Sequence, residues 1–244
     1  MFDRISYLFL FFALLAEIIG TIGGFGSSVF FVPLSSFFFD FQTVLGLTAI
    51  FHLSSNISKM ALFRKGLDKK LLLYIGVPSV LFVILGGILS NYLDSYILRI
   101  ILAVFLIVFS LLFLIKKELV IQPEAKQSIT GGALSGFTAG LLGTGGAIRG
   151  ITMAAFNLEK TVFIATSAAI DFAIDFTRTI VYFKNGYIHQ HDLIYVPFLL
   201  IIGLIGTYIG KYILQFIPQE RFKQTSLVLI LLIGIVMIVQ IAIN

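Results

Sequence analysis

Residues 20–26 read GTIGGFG, and residues 140–146 read GLLGTGG. The two stretches lie 120 positions apart, and each interrupts a long apolar run with a cluster of glycines. Glycine clusters unwind helices, and unwound backbone is tolerated at membrane depth only where protein or a water-filled cavity surrounds it. The two stretches therefore predict a pair of broken helices if the chain lies in a membrane.

The composition places the chain in a membrane. Its 244 residues are 59% hydrophobic and only 12% charged, with a mean hydropathy of +1.05, whereas a soluble chain is about a quarter charged. Six apolar runs are long enough to cross a bilayer core of about 30 Å: Thr43–Phe63, Leu71–Ser90, Tyr96–Ile115, Thr161–Phe183, Leu193–Ile213 and Gln224–Ala242. Because the connections are too short for a soluble domain, we expect a multi-pass helical membrane protein whose function lies within the bilayer.

The residue inventory argues against several kinds of function. The chain has no cysteine and no motif of a zinc protease, a serine hydrolase or a phosphate-binding loop. Most basic residues lie at the ends of apolar runs, where positive charge sets orientation. His189 and His191 lie in a loop where solvation is expected rather than metal binding. We therefore expect no enzyme activity, no cofactor, no metal and no nucleic-acid partner.

The shift of 120 residues aligns more than the two glycine clusters. It also superimposes Gly66 on Gly186, Gly86 on Gly206, Tyr92 on Tyr212 and Phe63 on Phe183. We therefore divide the chain into two membrane repeats, residues 1–120 and 121–244.

Each repeat opens with two apolar arms around its glycine cluster. The first arms are Ile5–Ile22 and Ile129–Leu142, and the second arms are Ser27–Phe39 and Ala147–Phe156. At 1.5 Å per residue the second arms extend only about 20 and 15 Å, which is too short to span a bilayer. We predict that each pair of arms forms a re-entrant hairpin with its tip near the midplane, followed by three transmembrane helices.

Three crossings per repeat is an odd number, so the repeats are expected to be inverted relative to each other. With the loop at Arg64 inside, this arrangement puts twelve Lys and Arg residues, Lys59 among them, on the cytoplasmic side and three outside. Repeats of four crossings would give ten inside and five outside. The positive-inside rule favours inverted repeats with both termini outside.

Polar side chains within the apolar runs are functional candidates because they are costly in a bilayer. One run carries Ser167, Asp171, Asp175 and Arg178, and the matching run of the first half carries Thr48, His52, Ser55, Asn56 and Lys59. Spacings of three and four place each set on one helix face, and we expect the two faces to meet or to share a cavity. The alternative is that these groups only join helices through hydrogen bonds and an Asp175–Arg178 ion pair.

Arg149 lies three residues after the second glycine cluster, with no carboxylate near it in sequence. A helix that begins at this point attracts anions through its N-terminal amides and its dipole, and paired broken helices that face a midplane anion recur in transporters. We therefore predict an anion site between the two tips, with these candidate residues: Gly23, Gly24, Gly26, Ser27, Ser28, Gly143, Thr144, Gly145, Gly146, Arg149, Ser55, Asn56 and Ser167. The alternative for Arg149 is an ion pair with Asp171 or Asp175, which a substrate would displace.

Four residues are candidates for proton coupling: Asp171, Asp175, Glu17 and His52. Asp171 and Asp175 lie one helical turn apart, and repulsion between two close carboxylates favours a proton on one of them. For Glu17 a packing role or a water-facing position is slightly favoured. For His52 a packing hydrogen bond weighs as much as proton transfer.

The order of these features resembles the TauE/SafE family of sulfite and organosulfonate exporters. The resemblance rests on residues 20–26 followed by Val32-Pro33-Leu34, on the loop Gly66-Leu67-Asp68, and on residues 140–146 followed by Ala165-Thr166-Ser167. Three stretches depart from it: Thr152-Met153 replaces a Val-Pro pair, Leu47-Thr48-Ala49 lacks a Thr-Ser pair, and Gly186-Tyr187-Ile188 lacks an aspartate. The resemblance implies a permease in a prokaryotic cell membrane for sulfite, thiosulfate, a sulfonate or a similar small anion.

The lead hypothesis is a secondary transporter that works by alternating access of the two halves. A passive anion channel is the alternative, because the same tips and Arg149 would serve it. The expected partners are the anion and the lipid bilayer, with protons as a candidate coupling ion and a homo-oligomer left open.

Overall fold

The computed structural model describes residues 6–23, 26–63, 66–116, 124–156, 158–216 and 219–243. All regular structure in these ranges is helical. Ten helices follow one another: α1 (Tyr7–Gly23), α2 (Ser28–Ser35), α3 (Phe41–Leu62), α4 (Lys69–Ser90), α5 (Ser95–Ile115), α6 (Ala125–Leu142), α7 (Gly146–Ala154), α8 (Lys160–Lys184), α9 (Asp192–Leu214) and α10 (Gln219–Ile243). Each of the six predicted apolar runs forms a helix, so this part of the prediction is confirmed.

Among the described residues, helices α4, α5 and α9 are long and apolar enough to cross a membrane. Helices α3 and α8 have similar lengths, but they carry the polar and charged side chains singled out above. Helix α1 and the apolar part of α10, Leu227–Ile243, are shorter apolar segments. The protein is an all-helical integral membrane protein.

Both glycine clusters interrupt a helix. Gly26 has a φ of +83° just before α2, and Gly143 has a φ of +76° just after α6. Residues with a side chain rarely adopt this left-handed backbone conformation, so glycine itself determines where both helices break. Gly24 lies outside the described residues.

The second arms are shorter than the sequence indicated, and the expected bounds are corrected here. Helix α2 has 8 residues and α7 has 9. Helix α2 ends early because the Ser36 hydroxyl donates to the Pro33 carbonyl oxygen at 2.7 Å, and the chain then turns towards Asp40, which caps α3. Only residues up to Ser35 and Ala154 therefore belong to these arms.

Each first arm packs against a long helix from the other half of the chain, α1 along α9 and α6 along α4. Glycines allow these backbones to approach closely. A β-carbon added at Gly136 would lie 2.1 Å from the Ser79 carbonyl oxygen, and one at Gly206 would lie 2.8 Å from the side chain of Glu17. Helix α3 packs against α8, and α5 against α10.

An aromatic cluster fixes the first broken helix. The ring of Phe9, near the start of α1, contacts Phe38 and Phe39 just beyond α2 and Tyr195 in the first turn of α9. Helices α1 and α2 therefore fold back on each other, with their outer ends side by side. The glycine break lies at the opposite end of this pair, next to the buried polar groups of α3 and α8.

Candidate anion-binding site

The first tip, of which the structure describes Gly26 and Ser27, lies beside a buried carboxylate. Glu17 on α1 has no exposed surface, and its Oε1 atom lies 2.9 Å from Nζ of Lys59 on α3. Four hydroxyl groups also donate hydrogen bonds to this carboxylate: those of Thr21, Ser27, Ser55 and Thr207. A buried charge is tolerated only when it is paired and hydrogen-bonded, and Glu17 meets both conditions.

Ser27 connects Glu17 to His52. Its hydroxyl donates to Oε2 of Glu17 at 2.6 Å and lies 3.1 Å from Nε2 of His52. Because the single hydroxyl proton points to Glu17, the ring nitrogen acts as the donor to Ser27. The three side chains form a continuous hydrogen-bonded chain from α1 across the first tip to α3.

The second glycine tip, residues 143–146, lies beside a buried guanidinium group. Arg149 stands in the first turn of α7, with only 1% of its side chain exposed. Its Nε donates to the Ser167 hydroxyl at 3.1 Å, and its two terminal nitrogens donate to the two oxygens of Asp171. Asp171 is 21% exposed, so it is the more accessible partner. The sequence left open an ion pair between Arg149 and Asp171 in the absence of substrate, and this ion pair is confirmed.

Asp175 forms a third group that joins the two halves. It lies 2.8 Å from Nη2 of Arg178 and accepts a hydrogen bond from Asn56 of α3 at 2.6 Å. The polar faces of α3 and α8 therefore meet, as the spacing of their residues predicts. The predicted Asp175–Arg178 ion pair is also present.

Arg178 has a structural function at the second tip. It donates to the carbonyl oxygens of Gly143 at 2.8 Å and Ala139 at 3.3 Å. The last carbonyls of a helix have no partner within the helix and attract cations, so Arg178 caps α6 at its broken end. Tyr182 reinforces this end by donating to the Gly140 carbonyl oxygen at 2.7 Å.

The two tips approach each other. A β-carbon added at Gly26 would lie 3.8 Å from Cα of Gly146 and 3.9 Å from Nη2 of Arg149. A small cavity opens next to this contact, and its wall includes Gly20, Thr21, Gly26, Lys59, Ser167 and Asp171. The cavity therefore lies between the carboxylate group of the first tip and the guanidinium group of the second.

Thr144 adds an unused donor at the second tip. The residue is only 1% exposed, and its hydroxyl has no hydrogen-bond partner among the described residues. The backbone N–H groups of Gly146, Ala147 and Ile148 precede the first hydrogen bond of α7, from the Arg149 N–H to the Gly145 carbonyl oxygen, and have no partner within their own helix either. This tip therefore combines uncommitted donors with a buried cation.

Comparison with known proteins gives one match. The family described as sulfite exporter TauE/SafE matches residues 9–237. The chain belongs to the TauE/SafE family. No curated protein and no solved structure matches the chain significantly. Membership implies transport of a sulfur-containing anion across a membrane.

In this TauE/SafE protein, most of the predicted site residues come together. Ser27, Ser55, Glu17 and His52 surround the first tip, while Arg149, Ser167 and Asp171 surround the second. Asn56 and Asp175 lie between the two groups. Ser28 is buried at the start of α2, and Gly23 ends α1.

Two glycines have packing functions. A β-carbon at Gly145 would lie 2.0 Å from the Ser135 carbonyl oxygen, and one at Gly143 would lie 2.7 Å from Leu45. Both positions are tightly enclosed by protein. Unlike Gly143 and Gly145, Gly26 has close neighbours in both tips.

Two expectations about charge need correction. Of the two positions favoured for Glu17, the water-facing one is wrong, because the residue is fully enclosed by α1, α3 and α9, whereas a packing role is compatible with its hydrogen bonds. Lys59 does not lie at the cytoplasmic surface, because it is 7% exposed and reaches back to Glu17. The sequence places Lys59 on the polar face of α3, one turn after Ser55, but the predicted anion site includes neither Lys59 nor Thr21 and Thr207.

Proposed function

We propose that this TauE/SafE protein is a secondary transporter for a small sulfur-containing oxyanion or organosulfonate, such as sulfite, and that the anion binds between the two glycine-rich tips. The observation that carries the proposal is Arg149, a guanidinium buried where the two tips meet. A guanidinium offers two parallel donors that match an oxyanion. Family membership supports the sulfur chemistry of the substrate.

The donors around this position fit an anion. Thr144 supplies a free hydroxyl, and the first turn of α7 supplies backbone amides. Ser27, Ser28 and Gly26 approach from the first tip. Ser167 holds the Nε side of Arg149, which leaves the two terminal nitrogens for exchange between Asp171 and the substrate.

The protein is best described as two inverted repeats, residues 1–120 and 121–244, each with a re-entrant hairpin and three crossings. The packing supports this description, since the shift of 120 residues turns the α1–α9 contact into the α6–α4 contact. The same operation maps the α3–α8 and α5–α10 contacts onto themselves. A pseudo-two-fold axis between α3 and α8 accounts for all four pairs.

Orientation follows from the charged residues outside the membrane. With Lys59 removed from the count, eleven Lys and Arg residues lie on the cytoplasmic side and three lie outside. The positive-inside rule still favours both termini outside. The location proposed for this permease is a prokaryotic cell membrane.

The balance of buried charges supports coupling to protons. Three carboxylates (Glu17, Asp171 and Asp175) face three cations (Lys59, Arg149 and Arg178), so the ionised site is neutral. An added anion would leave one negative charge uncompensated, which is costly in a site of low dielectric. Protonation of Asp171 removes that charge and frees Arg149 in a single step. Asp171 suits this function because it is the accessible partner and lines the cavity.

A carrier fits the structure better than a channel. Arg149 and Glu17 have no exposed surface, so the structure buries the charged groups on either side of the proposed anion position. Conduction through a channel needs a continuous path, whereas alternating access needs a site that is closed in one state. The two halves would expose it to each side in turn.

Counterflow in proteoliposomes tests the proposal. Vesicles loaded with unlabelled sulfite should accumulate labelled sulfite transiently, because a carrier exchanges one anion for another. Thiosulfate, taurine and chloride in the same assay define the substrate class. Uptake without counterflow would identify a channel, and no uptake of any sulfur anion would contradict the proposed function.

A further inference from the structure

The loop between α8 and α9 carries a group of side chains unrelated to the anion site. His189, His191 and Asp192 offer three ligand atoms that all lie within 4.8 Å of one another. The sequence favours a solvated loop at this point. His189 and His191 are exposed to solvent in the structure, by 43% and 76% of their side chains, whereas Asp192 is folded inward, with 5% of its side chain exposed.

We propose that His189, His191 and Asp192 form a binding site for a divalent transition metal such as Zn²⁺. Nδ1 of His189 lies 3.3 Å from Oδ2 of Asp192, and Nε2 of His191 lies 3.3 Å from Oδ1. Charge-assisted hydrogen bonds are shorter, at about 2.7–2.9 Å. Ligands about 2.0–2.1 Å from a tetrahedral Zn²⁺ are separated by about 3.3–3.4 Å. Each histidine nitrogen therefore faces a different oxygen of the Asp192 carboxylate at about the distance that separates neighbouring ligands of such a site.

The charge of Asp192 points to a cation. Within the described ranges, its buried carboxylate forms ion pairs only with the two histidines. A buried carboxylate needs a cation or strong donors, and a metal shared with the two imidazoles would supply the cation. Two imidazoles and one carboxylate are a common set for Zn²⁺, with a fourth position open to water.

The backbone holds the three ligands in place. The N–H of Asp192 donates to the His189 carbonyl oxygen at 3.1 Å, which closes a tight turn around Gln190. The imidazole rings stack with their centroids 5.3 Å apart, so both face the same side of the turn. The geometry of the site therefore exists before a metal binds, which lowers the cost of ordering it.

Hydrogen bonds of Thr43 connect His189 of this site to the start of α3. Nδ1 of His189 lies 3.2 Å from the Thr43 hydroxyl, and that hydroxyl donates to Asp40 at 2.5 Å. Metal binding uses the Nδ1 lone pair, so the ring proton moves to Nε2 and the contact with Thr43 is exchanged for the metal. An ion in this position would therefore replace the hydrogen bond between the α8–α9 loop and the start of α3.

The test uses protein purified in detergent through a tag without histidine and treated with a chelator. Isothermal titration with Zn²⁺ should give one saturable site per chain. Titration with Co²⁺ should give the strong visible absorption of four-coordinate cobalt. Both measurements detect metal binding directly and do not depend on transport activity.

Variants decide the assignment. His191→Ala should weaken Zn²⁺ binding by about tenfold or more, and His189→Ala should do the same. Gln190→Ala is the matched control in the same turn and should bind as wild type. His191 is 76% exposed, so its removal should leave the fold intact. Absence of saturable Zn²⁺ binding, or wild-type affinity in both histidine variants, would overturn the proposal.

Discussion

Asn56 on α3 donates a hydrogen bond of 2.6 Å to Asp175 on α8, and this contact joins the polar faces of the two halves. On one side of it lies the Glu17–Lys59 pair, and on the other lies the Arg149–Asp171 pair. Asp175 is also held by Arg178, which caps the broken end of α6. Asp175 is therefore part of the framework, whereas the Arg149–Asp171 pair, whose carboxylate lines the cavity, is the one we propose for exchange with the anion.

Replacement of Arg149 should weaken anion binding. A lysine keeps the charge but loses the two parallel donors, so Arg149→Lys should raise the Kd for sulfite about tenfold. Arg149→Ala should raise it further, by about 10- to 100-fold, because charge-assisted hydrogen bonds contribute about 1.5–3 kcal/mol. Binding is measured by titration calorimetry in detergent.

The single substitution leaves Asp171 without its partner. The double variant Arg149→Gln with Asp171→Asn removes both charges and serves as the control for folding. Wild-type affinity in this folded double variant would assign Arg149 to structure alone.

Substitution of Asp171 should separate exchange from proton coupling. In Asp171→Asn the side chain is neutral at every pH, so Arg149 is free for the anion throughout. Labelled sulfite should still exchange across vesicles, while a pH gradient should no longer drive accumulation. Asp175→Asn is the comparison, since it should mainly lower stability. Gradient-driven accumulation that persists in Asp171→Asn would contradict this function of Asp171, and Glu17→Gln would be examined next.

Single cysteines test the inverted repeats, because the chain contains no natural cysteine. Phe37, Tyr92 and Lys184 are exposed near helix ends that should face outward, and Leu67 and Phe216 are exposed near ends that should face inward. Membrane-impermeant maleimide should label the two sets from opposite sides. Lys184 is the critical position, because labelling there from the same side as Leu67 would mean that α6 and α7 cross the membrane instead of forming a hairpin.

Gly26 offers a test of the contact between the tips. Gly26→Ala adds a methyl group 3.8 Å from Gly146 and 3.9 Å from Arg149, and it should reduce sulfite transport by narrowing the space for the anion. The substitution also strains a φ of +83°. Gly186→Ala is the matched control, since its φ is +77° and no atom lies within 4 Å of the added group. Equal transport by the two variants would show that the tip is not close to the substrate.

Asp40 should make stability depend on acid pH. Burial raises the pKa of its carboxyl, but the hydrogen bonds from the Thr43 hydroxyl and backbone outweigh burial and hold the pKa below its usual value. A lowered pKa stabilises the fold above the unfolded value of about 3.9, and this contribution disappears as the pH falls through the folded pKa. Asp40→Ala should cost about 1 kcal/mol at pH 7 through loss of the helix cap and little at pH 2.

Thermal unfolding in detergent at the two pH values measures this difference. Thr43→Val keeps the side-chain shape and removes one donor, so it should show part of the same effect. A cost of Asp40→Ala that is equal at both pH values would contradict the assignment.

The sequence by itself determined the class of the protein, the positions of its helices and both helix breaks. These features depend on local composition: apolar runs seek the bilayer, and clustered glycines release the helix wherever they occur. It also identified Arg149, Asp171, Asp175 and Ser55 as unusual, because a charge or hydroxyl within an apolar run is costly in any fold.

The tertiary structure decided which charges pair. Lys59 is near a helix end in sequence, where a basic residue normally faces the cytoplasm, yet it turns inward because Glu17 is presented to it by a different helix. Arg178 and Arg149 both lie within apolar runs of the sequence, but Arg178 caps α6, whereas Arg149 binds the carboxylate of Asp171, which lines the cavity. Pairing energy depends on distances between groups far apart in the chain, and only the packing of α1, α3, α7 and α8 sets those distances.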